Sequence, residues 1–120
     1  MDSDIVMRII LFVVMVVGGA VIMWVASAAA SGKLKRNAIA GIRTSATIAS
    51  DEAWLRAHQR TKTITMVAGA IMMLSGLGAL FQQYMLGVII TILVGATIAV
   101  ALITYSAVLG NRAAREASTK

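Results

Sequence analysis

The chain has 120 residues, 59% of them hydrophobic and only 13% charged, with a mean hydropathy of +0.86, which excludes an ordinary water-soluble domain and points to an integral membrane protein. The net charge of +6 invites a nucleic-acid reading, yet every basic residue except Arg8 falls in a loop or tail beside an apolar run. The charge therefore speaks for membrane topology and anionic lipid headgroups, with no nucleic-acid partner, and the lack of cysteine excludes disulfides, a thiol nucleophile and thiolate metal sites.

Three stretches carry no charged side chain: Ile9 to Ala30, Thr63 to Phe81 and Met85 to Leu109. At about 1.5 Å of rise per residue each exceeds or nearly matches a hydrocarbon core of about 30 Å. Proline is absent, so nothing forces a kink. The expected fold is all-α, an integral membrane three-helix bundle forming one membrane domain over 1–120. Its spans cover about 5–30, 63–81 and 85–109, with a loop at 31–62 that carries a short interfacial helix, and a tail at 110–120.

Small residues in Val25-Ala26-Ser27-Ala28-Ala29-Ala30-Ser31 could mark a signal-peptide cleavage site in the first span. The acidic start at Asp2 and Asp4, and an apolar run longer than the usual 7 to 15 residues or so, argue that it is retained. Gly18, Gly19, Ala20 and Ser27 offer close helix contact in this span.

The loop that follows is the substantial polar stretch. Seven of the eleven Lys and Arg residues lie between Lys33 and Lys62; Arg112, Arg115 and Lys120 follow the third span, while Gln82-Gln83-Tyr84 has no charge. Basic loops remain on the cytoplasmic side, so the expected topology is N-terminus outside, loop and C-terminus in the cytoplasm, in a cell inner (plasma) membrane. Asn37 to Ile48, with Gly41, Thr44, Ser45 and Thr47, is expected to turn irregularly. Ser50 reads as an N-cap with Asp51 and Glu52 in the first turn, opening a helix that runs through Lys62 into span two. Glu52 and Arg56 are i,i+4 partners, as are Trp54 and His58. Trp54 suits an interfacial anchor, His58 a stacked or solvated surface position, and Arg43 either a lipid phosphate, an acidic partner or an internal pairing with Asp51 or Glu52.

Span two contributes Ala68, Gly69, Ala70, Ser75, Gly76, Gly78 and Ala79. In span three Gly87, Thr91, Gly95 and Ala99 recur every fourth residue, a row expected to pack helices, either within one protomer or against another subunit. The hydroxyls of Thr91 and Thr97 can bond to carbonyls one turn earlier.

The spaced pattern Asn37, Gly41-Ile42-Arg43-Thr44, Thr47, then acidic residues with Trp54, His58 and Arg60, set between the first two of three spans, resembles the SdpI family of bacterial membrane proteins. Ser45 stands where that family usually has proline. The resemblance implies a membrane immunity protein against a secreted peptide toxin that also signals by holding a repressor at the membrane. Partner or lipid contact is then expected at Asn37, Gly41, Ile42, Arg43, Thr44, Trp54, His58 and Arg60. The protein partner would be a toxin peptide or a repressor. The alternative reading, from span three, is a small accessory or structural subunit of a larger membrane complex, docked through the row of Gly87, Thr91, Gly95 and Ala99.

Catalysis finds no support in the sequence: there is one histidine, no cysteine and no phosphate-binding loop, and Gly76-Leu77-Gly78 lies within a span. No ionisable side chain lies deep in a span, which argues against proton-coupled transport. No cofactor is expected. Asp51, Glu52 and His58 do not share a helical face, so no metal site is expected either.

Overall fold

A computed structural model describes residues 2–119; Lys120, counted above among the positive residues after span three, lies outside them. The elements are α1 (Ser3–Ala30), a 3₁₀ turn (Thr47–Ala49), α2 (Asp51–Phe81) and α3 (Met85–Ser118). All three α-helices are long and apolar enough to cross a membrane. The chain is a multi-pass membrane protein with a three-helix fold, and its large apolar side chains, such as Val14, Leu74, Leu93 and Val100, face outward.

Helix α2 is central. It packs along α1 on one side and α3 on the other, whereas α1 and α3 barely touch. Small residues set these approaches. Gly19 and Gly69 face each other so closely that a Cβ on Gly69 would sit 2.7 Å from the Gly19 carbonyl oxygen. Farther along α1, a Cβ on Gly76 would lie 3.0 Å from the Cβ of Met15. Between α2 and α3, Gly95 meets Ser75, and a Thr65 hydroxyl donates to Ser106 Oγ at 3.2 Å. In lipid, where apolar surface gives little preference for a partner helix, such close backbone contact and hydrogen bonding supply the association.

The molecule is 58 Å long, well beyond a hydrocarbon core of about 30 Å. The excess lies at the loop end. Residues 51–62 form the first turns of α2 without a break, and α3 continues as a helix from Leu109 to Ser118. These extensions pack through Ala53, Ala57 and Ala114, with Ala46 of the loop against them. At the opposite end Arg8 of α1 donates to the carbonyls of Ala79, Gln82 and Gln83 around the end of α2, the first at 3.1 Å and the last at 3.2 Å.

Candidate functional site

The loop between α1 and α2 is folded onto the extended ends of α2 and α3. Gly32, at φ +84°, turns the chain out of α1, and the Leu34 amide bonds back to Ala28. Asn37 closes the next bend: its Oδ1 accepts from the Ile39 and Ala40 amides at 2.9 and 2.8 Å, and its Nδ2 donates to Lys35 at 2.7 Å. This is the local side-chain-to-backbone bonding for which asparagine is favoured in turns.

Gly41 is required where it stands. Its φ is +105°, and a Cβ there would fall 2.6 Å from the indole of Trp54 and 2.9 Å from Nε2 of His58. The turn it makes aims the Ile42 amide at His58 Nε2, 2.9 Å away, while His58 Nδ1 donates to the Trp54 carbonyl at 2.8 Å. The imidazole is therefore neutral, with its proton on Nδ1. Burial lowers its pKa below the usual histidine value, partly offset by the bond to Trp54. The Trp54 and His58 rings stack at 4.3 Å between centroids, and the indole N–H donates to the Leu34 carbonyl at 3.0 Å.

Thr44 and Thr47 complete the fold of the loop. Thr47 Oγ1 accepts from the Thr44 amide at 2.8 Å and donates to the Ile42 carbonyl at 2.7 Å. Thr44 Oγ1 donates to Asn111 Oδ1 of α3 at 2.7 Å. Ser50 caps α2 as expected, accepting from the Ala53 amide at 3.0 Å. No buried side-chain nitrogen or oxygen is left without a hydrogen-bond partner among the described residues.

The site residues thus separate by role. Trp54 and His58 are each only 3% exposed. Trp54 is not an interfacial anchor and His58 is not a solvated surface residue, because the loop closes over both; the expected stacking between them is present. Asn37 and Gly41 spend their polar or conformational capacity on the loop itself, and Thr44 ties it to Asn111 of α3. Arg43 and Arg60 are exposed. The pairing of Arg43 with Asp51 or Glu52 does not occur: Arg36 takes Asp51 at 3.0 Å, and Glu52 meets Arg56 at 3.6 Å. Lys33, Lys35, Lys62, Arg112 and Arg115 are also exposed, so the loop end carries a crowd of cations that form no ion pair among the described residues. Among those residues no cluster of histidine and carboxylates could hold a metal ion.

The helix-packing row of α3 lies against α2 of the same chain. Gly95 meets Ser75, Ala99 is buried, the methyl of Thr91 approaches Gly78, and the Thr91 hydroxyl donates to the Gly87 carbonyl at 2.8 Å. Gly87 borders the side chain of Gln82. Asn111, which ties the loop to α3, is not evident from sequence, although Gly110, Ala114 and Ala117 continue the buried small-residue face past the apolar run.

The sequence matches the SdpI/YfhL protein family over residues 33–106, more than half of the chain. The chain belongs to the SdpI/YfhL family. The matched region contains the loop from Lys33 onward, all of α2 and most of α3, so the SdpI/YfhL match and the loop-over-helix arrangement coincide. The SdpI/YfhL family is not a known enzyme family. No curated protein and no solved structure matches the chain.

Proposed function

We propose that the chain acts by binding, as an immunity or signalling protein of the SdpI type in a bacterial inner membrane, with its loop and C-terminus in the cytoplasm. The single observation that carries this reading is the division of labour in the loop. Its buried residues bond it to α2 and α3, while Arg43 and Arg60 remain exposed in a group of cations that form no ion pair among the described residues. A cationic surface held in place by the fold favours an acidic protein partner. The unequal distribution of Lys and Arg supports the cytoplasmic side.

In-cell crosslinking from a photoreactive residue at position 43 tests the reading, with the same residue at Leu93 as the lipid-facing control. The expected result is a discrete protein adduct from position 43, reduced when Arg60 is also neutralised, and hypersensitivity of a deletion strain to a membrane-active peptide. Adducts with lipid alone and a deletion strain indifferent to such peptides would overturn it. Co-purification with a stoichiometric large membrane assembly would instead favour an accessory subunit.

A further inference from the structure

Because α1 and α3 both lean on α2 and not on each other, a wedge remains between them. At the loop end it widens into a cavity of about 230 Å³, walled by Val25 of α1 and Ile103 of α3, backed by Thr61 and Thr65, and roofed by the Gly41–Ile42 turn. Each of its polar side chains already has a hydrogen-bond partner: the Thr61 hydroxyl with the Ala57 carbonyl at 2.9 Å, Thr65 with Ser106, and both nitrogens of His58. Water needs about two to four polar partners, and an apolar cavity of about 150 Å³ is known to stay dry and accept a benzene ring. The natural occupant is hydrocarbon.

The position of the cavity says which hydrocarbon. The stretch of α2 from Thr61 to Phe81 is about 30 Å long, the thickness of a hydrocarbon core, so Thr61 stands at the boundary where acyl chains meet headgroups. Val21 also lines the cavity and is 52% exposed, so the cavity reaches the lipid-facing surface. Arg60 and Lys62 flank Thr61 in sequence and are exposed, which sets two cations at that boundary beside the cavity, though neither lines it.

We infer that the cavity is a binding site for one anionic phospholipid of the surrounding bilayer, its acyl chain entering between α1 and α3 beneath the Gly41–Ile42 turn and its headgroup held by the cations beside Thr61. This goes beyond recognition of a protein partner and does not depend on it. Bound lipid would touch the turn directly and so hold the loop in place.

The test uses the full chain in vesicles with Trp24 replaced by Phe, leaving Trp54 as the sole tryptophan beside the cavity roof. Phospholipids brominated on the acyl chain, anionic or zwitterionic, are titrated into an unbrominated zwitterionic background and Trp54 emission is followed. The anionic lipid should quench at an about fivefold lower mole fraction, as engagement of one interfacial cation would give. Val25→Phe and Ile103→Phe, which fill the cavity from opposite walls, should remove that quenching while leaving unquenched emission unchanged. Arg60→Gln with Lys62→Gln, both surface changes, should abolish the preference for anionic lipid while leaving quenching by both lipids. Equal quenching by the two lipids in the parent protein would overturn the inference, as would parental quenching in filled variants that retain the parent's emission.

Discussion

His58 Nε2 accepts the Ile42 amide across the loop at 2.9 Å, a bond available only to the neutral imidazole because Nδ1 is already donating to Trp54. Burial lowers the folded-state pKa, so between the unfolded value near 6.5 and the folded value the unfolded chain binds the extra proton. Stability at this site is full above about pH 6.5 and falls as pH drops below it, by at most about 1.4 kcal/mol per unit. Amide exchange at Ile42 should accelerate as pH falls from about 6.5 toward the folded pKa, on the order of tenfold per unit at that limit after correction for intrinsic exchange. A flat corrected profile would remove His58 from this role.

Replacing His58 by Phe keeps a ring against Trp54 but leaves the Ile42 amide without its acceptor. The expected loss is about 1–3 kcal/mol for a buried unsatisfied donor, together with loss of the acid sensitivity. Denaturant unfolding in detergent at pH 7.5 and pH 5.5 measures both. Parental stability with the pH dependence intact would contradict the assignment.

The two positive-φ glycines should respond differently to alanine. Gly32 has open space around its missing Cβ, so Gly32→Ala bears only the backbone penalty of about 1 kcal/mol. Gly41→Ala adds a collision with the Trp54 indole and with His58, and should cost at least about 1 kcal/mol more, with a changed Trp54 emission spectrum. Equal melting temperatures for the two variants would refute this account of the turn.

The start of α2 was legible because its signals are local: Ser50, Asp51 and Glu52 cap the helix, and Glu52 reaches Arg56 one turn on. The three spans were legible from the apolar runs alone. The burial of Trp54 and His58 was not, since it depends on a loop returning over the helix, and nothing in the spacing of those two residues distinguishes a face covered by backbone from one covered by water. The partner of Asp51 is illegible for the same reason: the path of the loop decides whether Arg36 or Arg43 arrives there. The continuation of α3 to Ser118 hides behind its charges, because hydropathy reports only the bilayer-facing part of a helix. The small residues on its buried face were the available signal.

Gly95→Leu tests whether the α3 row serves the protomer. A Cβ at Gly95 would lie 2.5 Å from the Cβ of Ser75, so leucine must push α2 and α3 apart and break the Thr65–Ser106 bond. The expected outcome is a destabilised or misfolded chain with unchanged oligomer size in detergent, by unfolding and size-exclusion measurements. A well-folded variant with a smaller oligomer would assign the row to a contact between subunits.

Arg8 separates hydropathy from geometry. By hydropathy alone, Arg8→Leu would lengthen the apolar run of α1 and improve its insertion. In the folded protein, however, the guanidinium binds the carbonyls of Ala79, Gln82 and Gln83, where α2 leaves acceptors without helical partners and its dipole is negative. Arg8 stands near the N-terminus of its own helix, where a cation is unfavourable, so the benefit comes from α2. Arg8→Leu should therefore insert normally yet lose roughly 1 kcal/mol of stability, the partial exposure of the site moderating the strength of charged hydrogen bonds. Arg8→Lys, with a point charge and no planar fork, should recover only part of it. Thermal unfolding of the three proteins in the same detergent decides the matter: a leucine variant as stable as the parent would mean that the clasp joining α1 to the end of α2 contributes nothing.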